Sequence, residues 1–200
     1  LTRSDDRKLP IVCWGTSITQ GACASRPGLA YPAWIGRKLN YPTVNLGFSG
    51  NGKLEPELAK LIAEIPAAVY VLDCFANLQA EEIAERLPQA VDVLRSRNPD
   101  TPIVILQDRR YADGYLIESR MERNKTNQAA IESALTAIRQ KHGAGVIYLP
   151  QDRWLGFDGE ATVDGSHPND LGFARYAEAI EELLRPILES NATRSMHWYK

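Results

Sequence analysis

Three residues that could act together on a substrate are Ser17 and, far along the chain from it, Asp164 and His167. Of its three histidines, His142 closes a predicted helix ahead of Gly143, where a cation suits the negative end of the helix dipole. His197 sits in an aperiodic tail. His167 lies in a loop of Asp, Gly, Ser, Pro and Asn just before the last helical pattern. A tight turn there can fold the carboxylate of Asp164 against the imidazole, fixing its tautomer and stabilising the imidazolium that forms when the ring takes a proton. Ser17 follows Gly15 at the end of a short apolar run. Its hydroxyl is a poor nucleophile until a base removes the proton. An imidazole does so only when neutral, so turnover is expected to rise with pH through the usual imidazole range, about 6 to 7.

Attack on an acyl carbon also needs donors aimed at the developing oxyanion, each worth on the order of 3 kcal/mol of barrier. The backbone N–H groups of Ser17 and Gly50 and the side-chain amide of Asn77 are candidates. Taken singly, each residue has a plainer role. Ser17 suits a helix N-cap, Gly50 a turn, Asn77 a cap for the helix after it, and His167 a helix entry capped by Asn169 or Asp170. The Gly15–Gly21 loop does not match a Gly-x-Ser-x-Gly elbow, because Thr19 replaces the last glycine. Cys13, Cys23 and Cys74 form neither a disulfide framework nor a C-x-x-C pair. Cys13 and Cys74 suit small buried positions, whereas Cys23 lies in a polar loop. No second histidine or cysteine stands at ligand spacing from His167, and no metal or other cofactor is expected.

The elements that must position these residues alternate. Apolar runs at Ile11–Trp14, Val44–Leu46, Val69–Leu72, Ile103–Leu106 and Val146–Leu149 are β-branched or aromatic and bounded by Pro, Gly, Asn or Asp. Runs apolar on both faces suit parallel strands covered by helices. Helical patterns occupy Tyr31–Leu39, Glu55–Glu64, Ala80–Arg97, Met121–His142 and Asn169–Glu189, and Ser190–Lys200 is expected to be a loosely held tail. This rhythm predicts an α/β fold, a three-layer α/β/α sandwich around a five-stranded parallel sheet in flavodoxin-like order. Ligands bind such sheets outside the carboxyl ends of the strands. Four polar loops fall at that edge, at 15–21, 45–52, 73–77 and 164–170, and they contain every candidate residue.

At 200 residues, with 44% hydrophobic and 24% charged side chains, the chain has the composition of an ordinary globular domain and is read as a single domain, 1–200. A formal net charge of -2 gives no basic field for nucleic acid, and no apolar run reaches the roughly 20 residues of a membrane span. The sequence begins at Leu1 with no apolar leader through Pro10, so a processed chain or the catalytic part of a longer protein is the expectation.

Together the loops resemble the SGNH hydrolases, also called GDSL esterases and lipases, known for four blocks carrying Ser, Gly, Asn and His. Gly15-Thr16-Ser17-Ile18-Thr19 resembles the first block, Asn45 to Gly50 the second, Phe75 to Leu78 the third, and Asp164-Gly165-Ser166-His167 the fourth. Order and spacing match from about Ile11 to Glu189. The resemblance implies a flavodoxin-like sandwich and a serine esterase. In it Ser17 is nucleophile and oxyanion donor, Gly50 and Asn77 are further donors, His167 is the base, and Asp164 its orienting partner. Two departures stand out. Thr16 replaces the family's usual Asp, which removes a charge near the loop. The third block lacks its usual Gly and Asp around Asn77, which puts the aim of that amide in question.

The stretch Gly15 to Pro32, with Cys23-Ala24-Ser25-Arg26-Pro27-Gly28, resembles a bacterial branch of carbohydrate-esterase-like members. It implies a small-molecule ester substrate, an acetylated saccharide. It also favours a secreted or periplasmic setting over a cytoplasmic one. Trp14, Tyr31, Trp34, Phe48, Tyr111, Tyr115 and Trp154 could line a sugar site, and Arg26, Arg109 and Arg110 could meet a polar or anionic group; core packing and a solvated surface are their plainer readings. The alternatives are a lipid-directed esterase, lysophospholipase or thioesterase on the same scaffold, and a carbohydrate-binding domain without catalysis. A phosphate cradle at Gly47–Gly52 is disfavoured, because no Lys-Ser/Thr pair follows it.

Overall fold

The computed structural model describes residues 8–150 and 154–196, without the side chains of 191–196. Five strands, β1 (Ile11–Gly15), β2 (Thr43–Gly47), β3 (Val69–Asp73), β4 (Ile103–Leu106) and β5 (Val146–Leu149), form one sheet in the order β2-β1-β3-β4-β5. Every pairing is parallel, and Ile11 stands level with both Thr43 and Val69. This is the flavodoxin-like order expected from the alternating pattern.

The layers follow from the two-residue period of a strand. Val12, Trp14, Tyr70, Leu72, Ile103 and Ile105 project to one face. There they meet α3 (Pro56–Ile62), α4 (Ala80–Arg97) and α5 (Glu118–His142). Their neighbours Ile11, Cys13, Val69, Val71, Val104 and Leu106 meet α2 (Tyr31–Leu39) and α6 (Asp170–Met196) on the other. Central β1 and β3 are buried along their whole length, whereas edge strand β2 is half-exposed.

Two helix boundaries differ from the sequence pattern by three residues or more. α5 starts three residues before Met121, because exposed Glu118 and Ser119 add no apolar signal. α6 continues past Ser190 to Met196, since no glycine or proline follows to interrupt its backbone hydrogen bonds. The rest of the expected loose tail, including His197, lies outside the described residues.

One further helix matters most for the site. The single turn α1 (Ser17–Gln20) starts directly after β1 and lies on the carboxyl ends of β1 and β2. Gly15 and Gly47 close those strands side by side. A Cβ on Gly47 would stand 2.1 Å from the Gln20 nitrogen, and one on Gly15 only 1.8 Å from Thr19 Oγ1. Only glycine allows this contact.

Leu87 on α4 is fully buried against the sheet. Leu87→Ala is expected to lower the unfolding free energy by roughly 2–5 kcal/mol in urea denaturation, because a side chain is lost from a close-packed layer.

Candidate active site

Ser17 is the first residue of α1, and Thr16 is its cap: the Thr16 hydroxyl accepts the Ile18 N–H at 3.2 Å. The Ser17 hydroxyl is therefore not needed for capping. Its Oγ lies 3.0 Å from His167 Nε2, across a sequence separation of 150 residues. On the far side of the ring, Nδ1 lies 2.7 Å from Asp164 Oδ2. The other oxygen, Oδ1, accepts the N–H groups of Ser166 at 2.9 Å and His167 at 2.7 Å, in a turn allowed by the left-handed Gly165 at φ 82°. Partial burial acts to raise the Asp164 carboxyl, but the backbone N–H and ring of His167 and the Ser166 N–H outweigh it and hold it at about 2. An ionised Asp164 can only accept, so Nδ1 carries the hydrogen and Nε2 turns its lone pair to the serine.

The helix-entry role belongs to Asn169, whose side chain accepts the Gly172 N–H at 3.0 Å. Asn77 is likewise not the cap of α4: the helix is preceded by Gln79, whose N–H is taken by Glu82 at 3.0 Å. One Asn77 amide hydrogen goes to Gly52 O at 3.3 Å, leaving the second for another acceptor. The Gly50 loop is tied to the Ser17 loop by Phe48 N–H donating to Gly15 O at 2.9 Å. Gly50 adopts φ 72°, and a Cβ there would meet nothing within 4 Å. Its glycine character thus answers to backbone conformation, and the space in front of it is open. The loops of Ser17, Gly50 and Asn77 are therefore linked in series at one edge of the sheet.

Sequence reasoning passed over the groups beneath this edge. Asp73, at the end of β3, is buried under α1 and accepts Thr19 Oγ1 at 2.8 Å and Tyr176 OH at 2.9 Å. Thr19 Oγ1 also lies within hydrogen-bond distance of Tyr31 OH, at 3.2 Å. Burial pushes the Asp73 carboxyl up to about 7, against hydrogen bonds from Thr19, Tyr176 and Tyr31 that favour the anion. Asp108, Arg109, Arg123, Asn127 and Ser166 form a second buried polar cluster beside it. In the sequence, Asp73 is just the polar end of an apolar run; nothing there marks it as buried.

The expected sugar-binding aromatics separate. Trp14 and Tyr31 are wholly buried, one in each core, and Trp154 packs edge-on against Tyr176. Phe48 leans on the core, and Trp34 is half-buried beside Arg37. Arg109 is bonded to Asp108 and Ser166, Arg26 is exposed, and Arg110 borders a cavity. That cavity, ≈ 310 Å³, is lined by Arg110, Tyr111, Tyr115, Trp154 and Phe157 among others. An adjoining groove of ≈ 790 Å³ shares Arg110, Tyr111, Tyr115 and Phe157. Both border the segment whose Ala112 N–H donates to Gly165 O at 2.8 Å, next to the His167 turn. Among the described residues, no helix is long and apolar enough to cross a membrane, and no group of three His, Cys, Asp or Glu side chains could hold a metal.

A family model described as GDSL-like lipase/acylhydrolase matches residues 8–185. The chain is similar to the structure of a candidate GDSL-like lipase from Bacteroides ovatus, with 42% identity and a TM-score of 0.88 over 91% of this chain and 54% of that one. A salicylyl-acyltransferase from a tetracycline biosynthetic pathway is 22% identical, with a TM-score of 0.73 over 88% of this chain and 54% of its own. A two-domain esterase active on acetylated mannans is 20% identical, with a TM-score of 0.66 over 90% and 49%. These last two likenesses concern the fold alone. The chain spans about half the length of each of these three structures. No curated protein matches it.

Asp73 makes the stability of this edge depend on pH. The folded carboxyl keeps its proton up to about 7, whereas an unfolded aspartate releases it near 3.8. Its contribution to stability therefore falls as pH rises through that window and is constant above it. In Asp73→Asn, melting temperature relative to the parent is expected to improve steadily between pH 4 and pH 7. A difference that stays flat in thermal denaturation across that range would contradict this account of Asp73.

Proposed function

The chain belongs to the GDSL-like lipase/acylhydrolase family, and on that premise we propose that it is a carboxylic ester hydrolase with Ser17 as nucleophile, His167 as general base and Asp164 as the group that orients the base. The observation that carries this reading is the pair of contacts on one ring: Nε2 at 3.0 Å from Ser17 Oγ and Nδ1 at 2.7 Å from Asp164 Oδ2. Nothing else in the fold requires a serine and a histidine from opposite ends of the chain to meet.

As the Ser17 oxygen attacks the ester carbonyl, its proton passes to His167 Nε2, and the Oγ–C bond forms while the carbonyl electrons move onto oxygen. The Ser17 and Gly50 N–H groups and the Asn77 amide stabilise that oxyanion. When the carbonyl re-forms, the C–O bond to the alcohol breaks and His167 gives its proton to the departing oxygen. Water then repeats the two steps on the acyl-enzyme, with His167 again as base and then acid. Asp164 has its charge throughout and stabilises the imidazolium in both halves.

The substrate we favour carries a small acyl group, acetyl above all, on a saccharide. The support is the open space before Gly50 and the aromatic-and-arginine lining of the neighbouring cavity. A relative of the same fold acts on acetylated mannans. A second reading, esters of longer acyl chains, draws on exposed Tyr115, Met121 and Phe157 in the lining of the adjoining groove.

Ser17→Ala is expected to lower kcat on p-nitrophenyl acetate by several orders of magnitude with an unchanged melting temperature. A fluorophosphonate probe should label the parent at Ser17 and leave the variant unlabelled. A variant with parental turnover would overturn the nucleophile assignment. Because Asp164 is held at about 2 and stays ionised in mild acid, it adds no step to kcat/KM between pH 5 and pH 8, and a profile flat over that range would count against His167 as the base. On acetylated sugars and p-nitrophenyl esters of increasing length, kcat/KM is expected to peak at acetyl; a peak at long chains selects the second reading.

A further inference from the structure

Asn77, one of the proposed oxyanion donors, sits in a short 3-10 turn, Phe75–Asn77, between β3 and α4. Its amide donates to Gly52 O at 3.3 Å, but no covalent bridge or long element holds the turn that carries it, and a displacement of an ångström could spoil its aim. What does hold this turn is a side chain from another part of the chain. Arg123, in the second turn of α5, sends Nη2 to Ala76 O at 3.0 Å and Leu78 O at 2.8 Å, with a longer bond to Phe75 O at 3.3 Å. These carbonyls flank Asn77 on both sides. Asn127, one turn further on, adds Nδ2 to Leu78 O at 3.1 Å.

Arg123 is aimed in turn. Its Nη1 donates to Asp108 Oδ2 at 2.8 Å, and the Asp108 side chain is only 1% exposed. The second Asp108 oxygen takes Arg109 Nη1 at 2.6 Å. Arg109 then directs Nε and Nη2 to Ser166 Oγ at 3.0 and 2.8 Å, next to His167. One buried carboxylate thus anchors two guanidinium groups, one to each of two loops of the site. A guanidinium can serve a carboxylate and neighbouring carbonyls at once because its five hydrogens lie in a rigid plane. An ammonium is a point donor on a flexible stem and cannot span the same set.

We propose that Arg123, anchored by Asp108, is a positioning residue that sets the aim of the Asn77 amide, and that Asp108 joins this clamp through Arg109 to the loop of His167. This rests on the assignment of Asn77 as an oxyanion donor. Arg123 itself takes no part in the chemistry: its contacts are with Asp108, the carbonyls of Phe75, Ala76 and Leu78 and the Tyr111 ring. Its contribution to rate therefore exists only while the Asn77 amide exists.

A double-mutant cycle tests this on p-nitrophenyl acetate, with kcat, KM and melting temperature measured for Asn77→Ala, Arg123→Gln, Arg123→Lys and Asn77→Ala/Arg123→Gln. Asn77→Ala is expected to lower kcat by about 10²–10³-fold, the usual effect of losing one oxyanion donor. Arg123→Gln is expected to lower kcat by about 10²-fold with KM little changed. Arg123→Lys, which can keep the Asp108 pair but not the carbonyls, should behave alike at near-parental melting temperature, and stands in for Arg123→Gln should that variant not fold. In the Asn77→Ala background the Arg123 substitution should cost less than threefold further. Multiplying losses, or parental kcat in the Arg123 variants, would overturn the clamp while leaving the esterase reading intact. Parental kcat in Asn77→Ala, with Ser17→Ala inactive, would remove the donor assignment and the clamp with it. Parental turnover by Ser17→Ala would overturn the esterase reading itself.

Discussion

The hydrogen bond between Ser17 and His167 joins residues 150 positions apart, and a hydrogen bond of useful strength tolerates only a few tenths of an ångström. The rest of the molecule meets that tolerance. Ser17 sits on a one-turn helix pressed onto the ends of two strands, with glycines, Gly15 and Gly47, where a Cβ would hold it off. His167 sits in a turn closed by three hydrogen bonds to Asp164. Neither loop could bring its partner into range alone. The parallel sheet does so, because β1 is an interior strand and the last helix returns across the same face.

Beneath this contact the protein keeps polar groups where an apolar core would cost less. Asp73 and Asp108 are both buried at the carboxyl edge of the sheet. Buried carboxylates are costly unless every oxygen is satisfied. Here Asp73 accepts two hydroxyls, and Asp108 accepts two guanidinium groups and an amide. Each carboxylate ties an element near the site to another that a hydrophobic contact would leave free to slide. Apolar packing is non-directional, whereas hydrogen bonds fix both distance and angle. The site therefore rests on a directional layer, and the two cores below it supply the cohesion.

The same layer bears on the departures from the family pattern. Thr16, in place of an aspartate, serves as the cap of α1, while the carboxylate near that turn is Asp73, on the neighbouring strand. Around Asn77, where Gly and Asp are replaced by Phe75 and Leu78, both replacements are buried in the core, and α5 supplies the polar contacts to the turn.

Much of this was legible in the residues alone. Strand positions followed from β-branched runs, and Tyr31–Leu39 and Ala80–Arg97 from apolar spacing, because burial of a face acts locally and leaves a period in the sequence. The Asp164–His167 turn could be anticipated from a spacing of three residues. That Ser17 and His167 lie within hydrogen-bond reach could be expected only from the order of the loops. Tertiary structure alone decided which aromatics fill the cores, that Arg109 is bonded inward, and that Asp73 and Asp108 are buried. Burial of a polar side chain depends on what packs over it from distant segments, and no local period or spacing records that.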